Sequence, residues 1–254
     1  MRDGATAQRR KGVTALRIMK FKKINKMKII FFAAITIMVS QTIAGSDTLY
    51  YSVLKKSIDL AHQEYKLDNY RQLANCSERI CLVYKDDWIP YYYQAYAYIN
   101  MGFIETDESL MEMYCDKARE LLDEAFKINP DESEIYVLQS MLYFARMAIS
   151  PMINGPLYLQ KASGALDDAG KLDPGNPRIY YLRGKSVMYT PKFFGGGKEA
   201  AIPLFEKALN IFRNFKPRSI VHPAWGEEDA SKLYDECKAA STEQDSDKQP
   251  EKQE

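Results

Sequence analysis

Histidine is scarce in this chain. His62 and His222 are the two among 254 residues, and neither has a partner at metal-ligand or catalytic-triad spacing. No metal site, cofactor or catalytic residue is therefore expected. Cysteine is nearly as sparse, with four residues. Cys76 and Cys81 lie five positions apart on a predicted helix, which sets their Cα atoms roughly 8 Å apart on different faces, beyond disulfide reach. Cys115 and Cys237 could each pair with one of them, but buried free thiols are the favoured reading.

Also missing is an apolar run long enough to span a bilayer, which takes about 20 residues. The run at 29–39 is shorter, follows a basic stretch, and is followed by the small residues Thr42 and Ala44. That order reads as a secretory signal over 1–44, with Met27 as an alternative start. The expected destination is the periplasm or the exterior, with no stable membrane insertion after cleavage. Residues 1–44 hold ten Lys/Arg against one acid, which leaves 25 basic and 33 acidic residues beyond, a net charge of −8. An acidic body excludes nucleic acid as a main partner, because phosphate binding needs clustered Lys and Arg.

What the sequence does contain is a repeat. "ARELLDEAFKINP" places Ala118, Leu122, Ala125 and Pro130 at offsets 0, 4, 7 and 12, and "ASGALDDAGKLDP" places Ala162, Leu166, Ala169 and Pro174 at the same offsets. "AIPLFEKALNIF" repeats the first three as Ala201, Phe205 and Ala208. Such a helix, with small residues for close approach and a proline stop, resembles helix B of a tetratricopeptide repeat. The resemblance implies a preceding helix A with a small residue at a fixed spacing. Ala61, Ala95, Ser140 and Gly184 satisfy it, whereas Arg183 occupies a position where the family usually has Leu.

The expected fold is all-α: a solenoid of about four helical pairs over 45–240, with repeats near 54–87, 88–132, 133–176 and 177–216 and a capping helix at 227–239. Trp225 is expected to anchor that cap on the last repeat. The tail at 241–254 lacks apolar residues and is expected to be disordered. Compared with a 34-residue repeat, the extra residues of repeats two to four all fall between helix A and helix B. They are expected to form long turns along one edge.

One such turn, "YTPKFFGGGKE", has a second reading as an anion cradle. A Walker loop would need G-x4-G-K-[ST] after a strand, and neither the spacing nor the strand is there. Gly195, Gly196, Gly197 and Lys198 thus read as a sharp turn with at most a weak anion site. The stretch also resembles a P-x-x-F-G-G turn of exported bacterial tetratricopeptide proteins of uncharacterised role.

Carboxylate-rich stretches such as "ETDES" and "EEDAS" look like helix starts, where acids favour the dipole. What remains is a surface. In the tetratricopeptide family helix A lines the concave groove, which implies Ile89, Tyr92, Tyr93 and Tyr96 in repeat two, Val137, Met141 and Phe144 in repeat three, and Arg178, Tyr181, Lys185 and Met188 in repeat four. The expected function is non-enzymatic: an envelope scaffold or a module binding a protein or peptide. Glycan capture by tyrosines is the alternative, and a hydrolase the outsider. The chain's own cap, N-terminal helix or turns could instead fill the groove.

Overall fold

A computed structural model describes residues 49–246; the expected signal and the end of the tail lie outside these residues. The described chain is helical: α1 (49–63), α2 (Leu67–Cys81), α3 (Trp88–Ile104), α4 (Glu108–Ile128), α5 (Ser133–Ile149), α6 (Pro151–Leu172), α7 (Pro177–Tyr189), α8 (Lys198–Phe212) and α9 (Glu227–Ser246). A short 3-10 turn, Lys192–Phe194, precedes α8. No described residue is in a strand.

Local chemistry sets the helix starts. Asp87, Asp107 and Asn176 accept hydrogen bonds from the amides of Ile89, Leu110 and Arg178 in the first turns of α3, α4 and α7, satisfying donors that the helix itself leaves orphaned. Prolines open α6 and α7 at Pro151 and Pro177, where the missing N–H costs nothing. Helices α4 and α6 stop at Asn129 and Asp173, immediately before Pro130 and Pro174, since the residue before a proline is pushed out of the helical region.

The repeated small positions form the core of a tetratricopeptide-type solenoid. Ala61, Ala95 and Ser140 of the A helices and Leu73, Ala118, Ala162 and Ala201 of the B helices are at most 1% exposed. At Gly184 the approach is closest: a Cβ there would lie 2.6 Å from the Phe205 ring. Arg183, the departure from the pattern, points outward and pairs with Asp167 at 2.5 Å.

The extra residues of repeats two and three form little turn. Only 105–107 separate α3 from α4, and Ser150 alone separates α5 from α6, so the insertions lengthen the helices to between 17 and 22 residues. Asp107 and Pro151 are good helix openers, and they let the B helices start early. Repeat four keeps a real turn at residues 190–197, with Phe193 and Phe194 exposed at its tip. The last helix starts at Glu227, but runs to Ser246 rather than to 239, so the first residues of the expected disordered tail are helical.

Candidate functional site

Between α8 and α9 the chain crosses the concave side, and this crossing decides which helix A residues face a ligand. Arg178, expected at the groove surface, is fully buried. Its guanidinium forks onto Glu134, itself 2% exposed, through Nη2 to Oε1 at 2.6 Å and Nε to Oε2 at 2.9 Å. Nη1 donates to the Trp225 carbonyl at 3.2 Å, and the ring of Phe215 lies 4.6 Å from the guanidinium carbon. Burial would lower the pKa of Arg178, but the charge and hydrogen bonds of Glu134 outweigh it and hold the arginine above its ordinary value. Tyr92, Tyr93 and Val137 are buried in the same layer, and the Trp225 indole N–H donates to the Tyr92 hydroxyl at 2.8 Å.

The expected groove therefore needs correction. Ile89, Tyr92, Tyr93, Val137 and Arg178, from the N-terminal halves of α3, α5 and α7, are buried and do not line the cavity that remains. Phe144 and Met188 lie outside the cavity that remains, while Tyr96, Met141, Tyr181 and Lys185 do line it. Residues 215–225 account for part of this, since Trp225 bonds the Tyr92 hydroxyl and its carbonyl and the Phe215 ring meet the Arg178 guanidinium. Trp225 accordingly anchors the crossing on repeat two as well as on the last repeat.

The open part is a cavity of about 1470 Å³, larger than the roughly 300–1,000 Å³ usual for small-molecule sites. A run of aromatic rings lines it. Tyr65 meets Tyr70 edge-on at 5.5 Å, Tyr70 lies 6.2 Å from Tyr96, Tyr96 lies 5.5 Å from Trp225, and Trp225 lies 6.3 Å from Tyr181. His62 stands edge-on to Tyr96 at 5.8 Å. Crowding by the walls lowers its pKa, against the opposing pull of Asp59, so the imidazole is neutral at neutral pH. Burial raises the pKa values of Tyr70, Tyr96 and Tyr181. Their phenols stay protonated and act as hydrogen-bond donors within an apolar wall.

Charge is uneven around the rim. Asp59, Glu227, Glu228 and Asp229 line it together with Lys185, Arg213 and Lys232, and Lys232 pairs with Glu228 at 2.8 Å. The first turn of α9 supplies Glu227, Glu228 and Asp229, where the helix dipole favours acids. His62, on α1, follows the small position Ala61 and lines the cavity. The wall from Ala224 to Lys232 was not legible in the sequence, because nothing in its local pattern says how far back along the solenoid the crossing reaches.

At the repeat-four turn, Gly195 and Gly197 have φ of 79° and 106°, a region open to glycine without Cβ strain. The amides of Gly195, Gly196 and Gly197 donate to the carbonyls of Lys192, Pro191 and Val187 at 2.9, 3.2 and 2.9 Å. Lys198 pairs with Glu236 of α9 at 2.8 Å. The three glycine amides are thus spent inside the turn, and Lys198 has a carboxylate partner. Among the described residues the cysteines are free thiols, no cluster of possible metal ligands occurs, and no helix is long and apolar enough to cross a membrane.

No protein-family model matches the sequence, and none of the curated protein sequences does. Solved structures do. The HusA haemophore from Porphyromonas gingivalis is similar at 33% identity and a TM-score of 0.68, over 76% of this chain and 94% of that one. TTC0263, a TPR protein of Thermus thermophilus, is similar at 15% identity and a TM-score of 0.52, over 75% and 80% of the respective chains. The second likeness is one of fold.

Proposed function

The chain belongs to the family of the HusA haemophore, and on that premise we propose that it is an exported capture protein for haem. The observation that carries this reading is the aromatic-lined cavity. A porphyrin is a large, flat, apolar disc with a polar edge, and the cavity offers a volume of about 1470 Å³ walled by Tyr65, Tyr70, Tyr96, Tyr181 and Trp225. Flat π-systems stack on such walls at low entropic cost, because tyrosine and tryptophan have few rotatable bonds.

The lining fits the rest of the ligand. His62, Met141 and the cavity tyrosines are side-chain types that can coordinate haem iron, and the neutral imidazole of His62 is in the ligating form. The half-open shape suits a carrier, which must release its cargo as well as hold it. Capture of an extended peptide is less favoured, since residues 215–225 already occupy the N-terminal side of the concave face. Export is supported by the signal-like order of residues 1–44.

Titration of the purified protein with haem, followed by its Soret absorbance, is the direct test. Saturable one-to-one binding is expected. Tyr96→Ala should weaken it tenfold or more, whereas Tyr143→Ala, in an outward stack with Tyr158, should leave it unchanged. No saturable spectral change in the unmodified protein would overturn the proposal.

A further inference from the structure

Six lysines and arginines of the described chain have side chains that are buried or half-buried: Lys55, Arg146, Arg178, Arg183, Lys185 and Lys198. Five of them meet a carboxylate. Lys55 pairs with Asp59, Arg146 with Glu112 and Asp116, Arg178 with Glu134, Arg183 with Asp167, and Lys198 with Glu236. Lys185 is the exception among the described residues. Its ammonium lies 5.5 Å from the centre of the Tyr181 ring, on the cavity wall, and no acid stands within ion-pair distance.

A half-buried ammonium without a counter-charge is costly, because it gives up part of its hydration for little in return. A cation–π contact recovers only a fraction of that. Burial lowers the Lys185 pKa, and the more distant Asp229 only partly offsets it. Asp229 is itself engaged, accepting a hydrogen bond from the Tyr181 hydroxyl at 3.4 Å. The cavity thus holds a cation next to an aromatic wall, with its ion-pairing capacity unused.

We propose that Lys185 anchors a carboxylate of the bound ligand, so that the cavity selects flat aromatic acids with a free carboxylate, such as haem with its propionates, over their esters. The inference rests on the haem reading above and deepens it. The stacked ring would lie along the Tyr96 and Trp225 side, and its acidic edge would meet Lys185. The resulting ion pair forms in a partly water-excluded place, where a charge-assisted hydrogen bond is about twice as strong as a neutral one.

Haem and haem dimethyl ester, titrated side by side, separate the two levels of the argument. The unmodified protein should bind haem about tenfold more tightly than the diester. Lys185→Met, nearly equal in length, should lose that preference by weakening haem to the diester's level while leaving diester binding within threefold. Lys185→Arg should retain the preference, and the melting temperatures of all three proteins report on folding. Equal binding of acid and ester by the unmodified protein overturns the role of Lys185 and leaves the haem reading standing. An equal loss of both ligands in Lys185→Met, or the same preference kept in that variant, also overturns it. Failure of the unmodified protein to bind either ligand removes both proposals together.

Discussion

Trp225 donates its indole N–H to the hydroxyl of Tyr92 at 2.8 Å, across 133 residues of sequence. This bond ties the crossing segment to repeat two, and it separates the buried end of the concave face from its open cavity. Trp225→Phe keeps most of the ring but leaves the Tyr92 hydroxyl without its donor. The expected cost is about 1–3 kcal/mol of stability, the penalty for an unsatisfied buried polar group. Chemical denaturation of both proteins checks it, and an unchanged midpoint would show that the bond does not fasten the segment.

Breaking one side of the Arg178–Glu134 pair should be among the most damaging single changes in this chain. Both side chains are buried, with 0% and 2% exposure, so Arg178→Met leaves a buried carboxylate unpaired at a cost of about 3–5 kcal/mol. Adding Glu134→Leu to that variant should restore much of the loss, because two apolar side chains need no partner. A double-mutant cycle measured by denaturant unfolding reads the coupling. Additive losses would mean that the two residues do not act as a pair.

The glycine turn makes a steric prediction. Gly196 is not in the left-handed region, yet a Cβ on it would collide with the Thr190 carbonyl. Gly196→Ala should therefore lower stability by about 1–3 kcal/mol through overpacking. Lys198→Ala loses a half-exposed pair with Glu236, about 0.2–1 kcal/mol. Phosphate should not raise the melting temperature of the unmodified protein; a saturable rise that vanishes in Lys198→Ala would establish an anion site there.

His222 should make folding sensitive to mild acid. It is 6% exposed beside Trp88, and neither ring nitrogen has a hydrogen-bond partner in the described structure. Burial first, and then the positive charges of Arg218 and Arg178, push its pKa down to about 4. Between that value and the unfolded value near 6.5 the unfolded chain binds the extra proton. Its stability contribution is thus complete above about pH 6.5 and falls as the pH drops towards 4, by roughly 3 kcal/mol in all. The difference between the stability curves of the unmodified protein and His222→Leu over pH 4–7 isolates this residue. Parallel curves would show that His222 does not titrate differently on folding.

Close approach at Gly184 explains why the A helices carry a small residue at this position. The Phe205 ring would lie 2.6 Å from a Cβ there, so Gly184→Ala should destabilise by about 1–3 kcal/mol. Adding Phe205→Leu should recover part of the loss if the contact is the cause. Calorimetry of the single and double variants checks it, and a double variant as unstable as the sum of its parts would place the strain elsewhere.

The repeat was legible because its cause is local. A small residue where two helices touch, a large one a turn later and a proline at the end are each short-range necessities, and Ala118, Leu122, Ala125 and Pro130 state them in 13 consecutive positions. The same locality made the glycine turn readable, since Gly195 and Gly197 answer a backbone requirement of their own segment. Turn length was not local in this way. Counting residues between alanines gives the size of an insertion, but whether it coils out or extends a helix depended on openers such as Asp107 and Pro151. The site depended on something more distant still. Tyr92 and Tyr96 are both helix A aromatics four residues apart, and no property of that helix separates them. Both are buried, at 0% and 6% exposure, but tertiary structure makes only the second a lining residue of the cavity, while Trp225 folds back to bond the hydroxyl of the first. A contact made across 133 residues is specified by the shape and hydrogen-bonding capacity of the whole surface it lands on, which no short stretch of sequence contains.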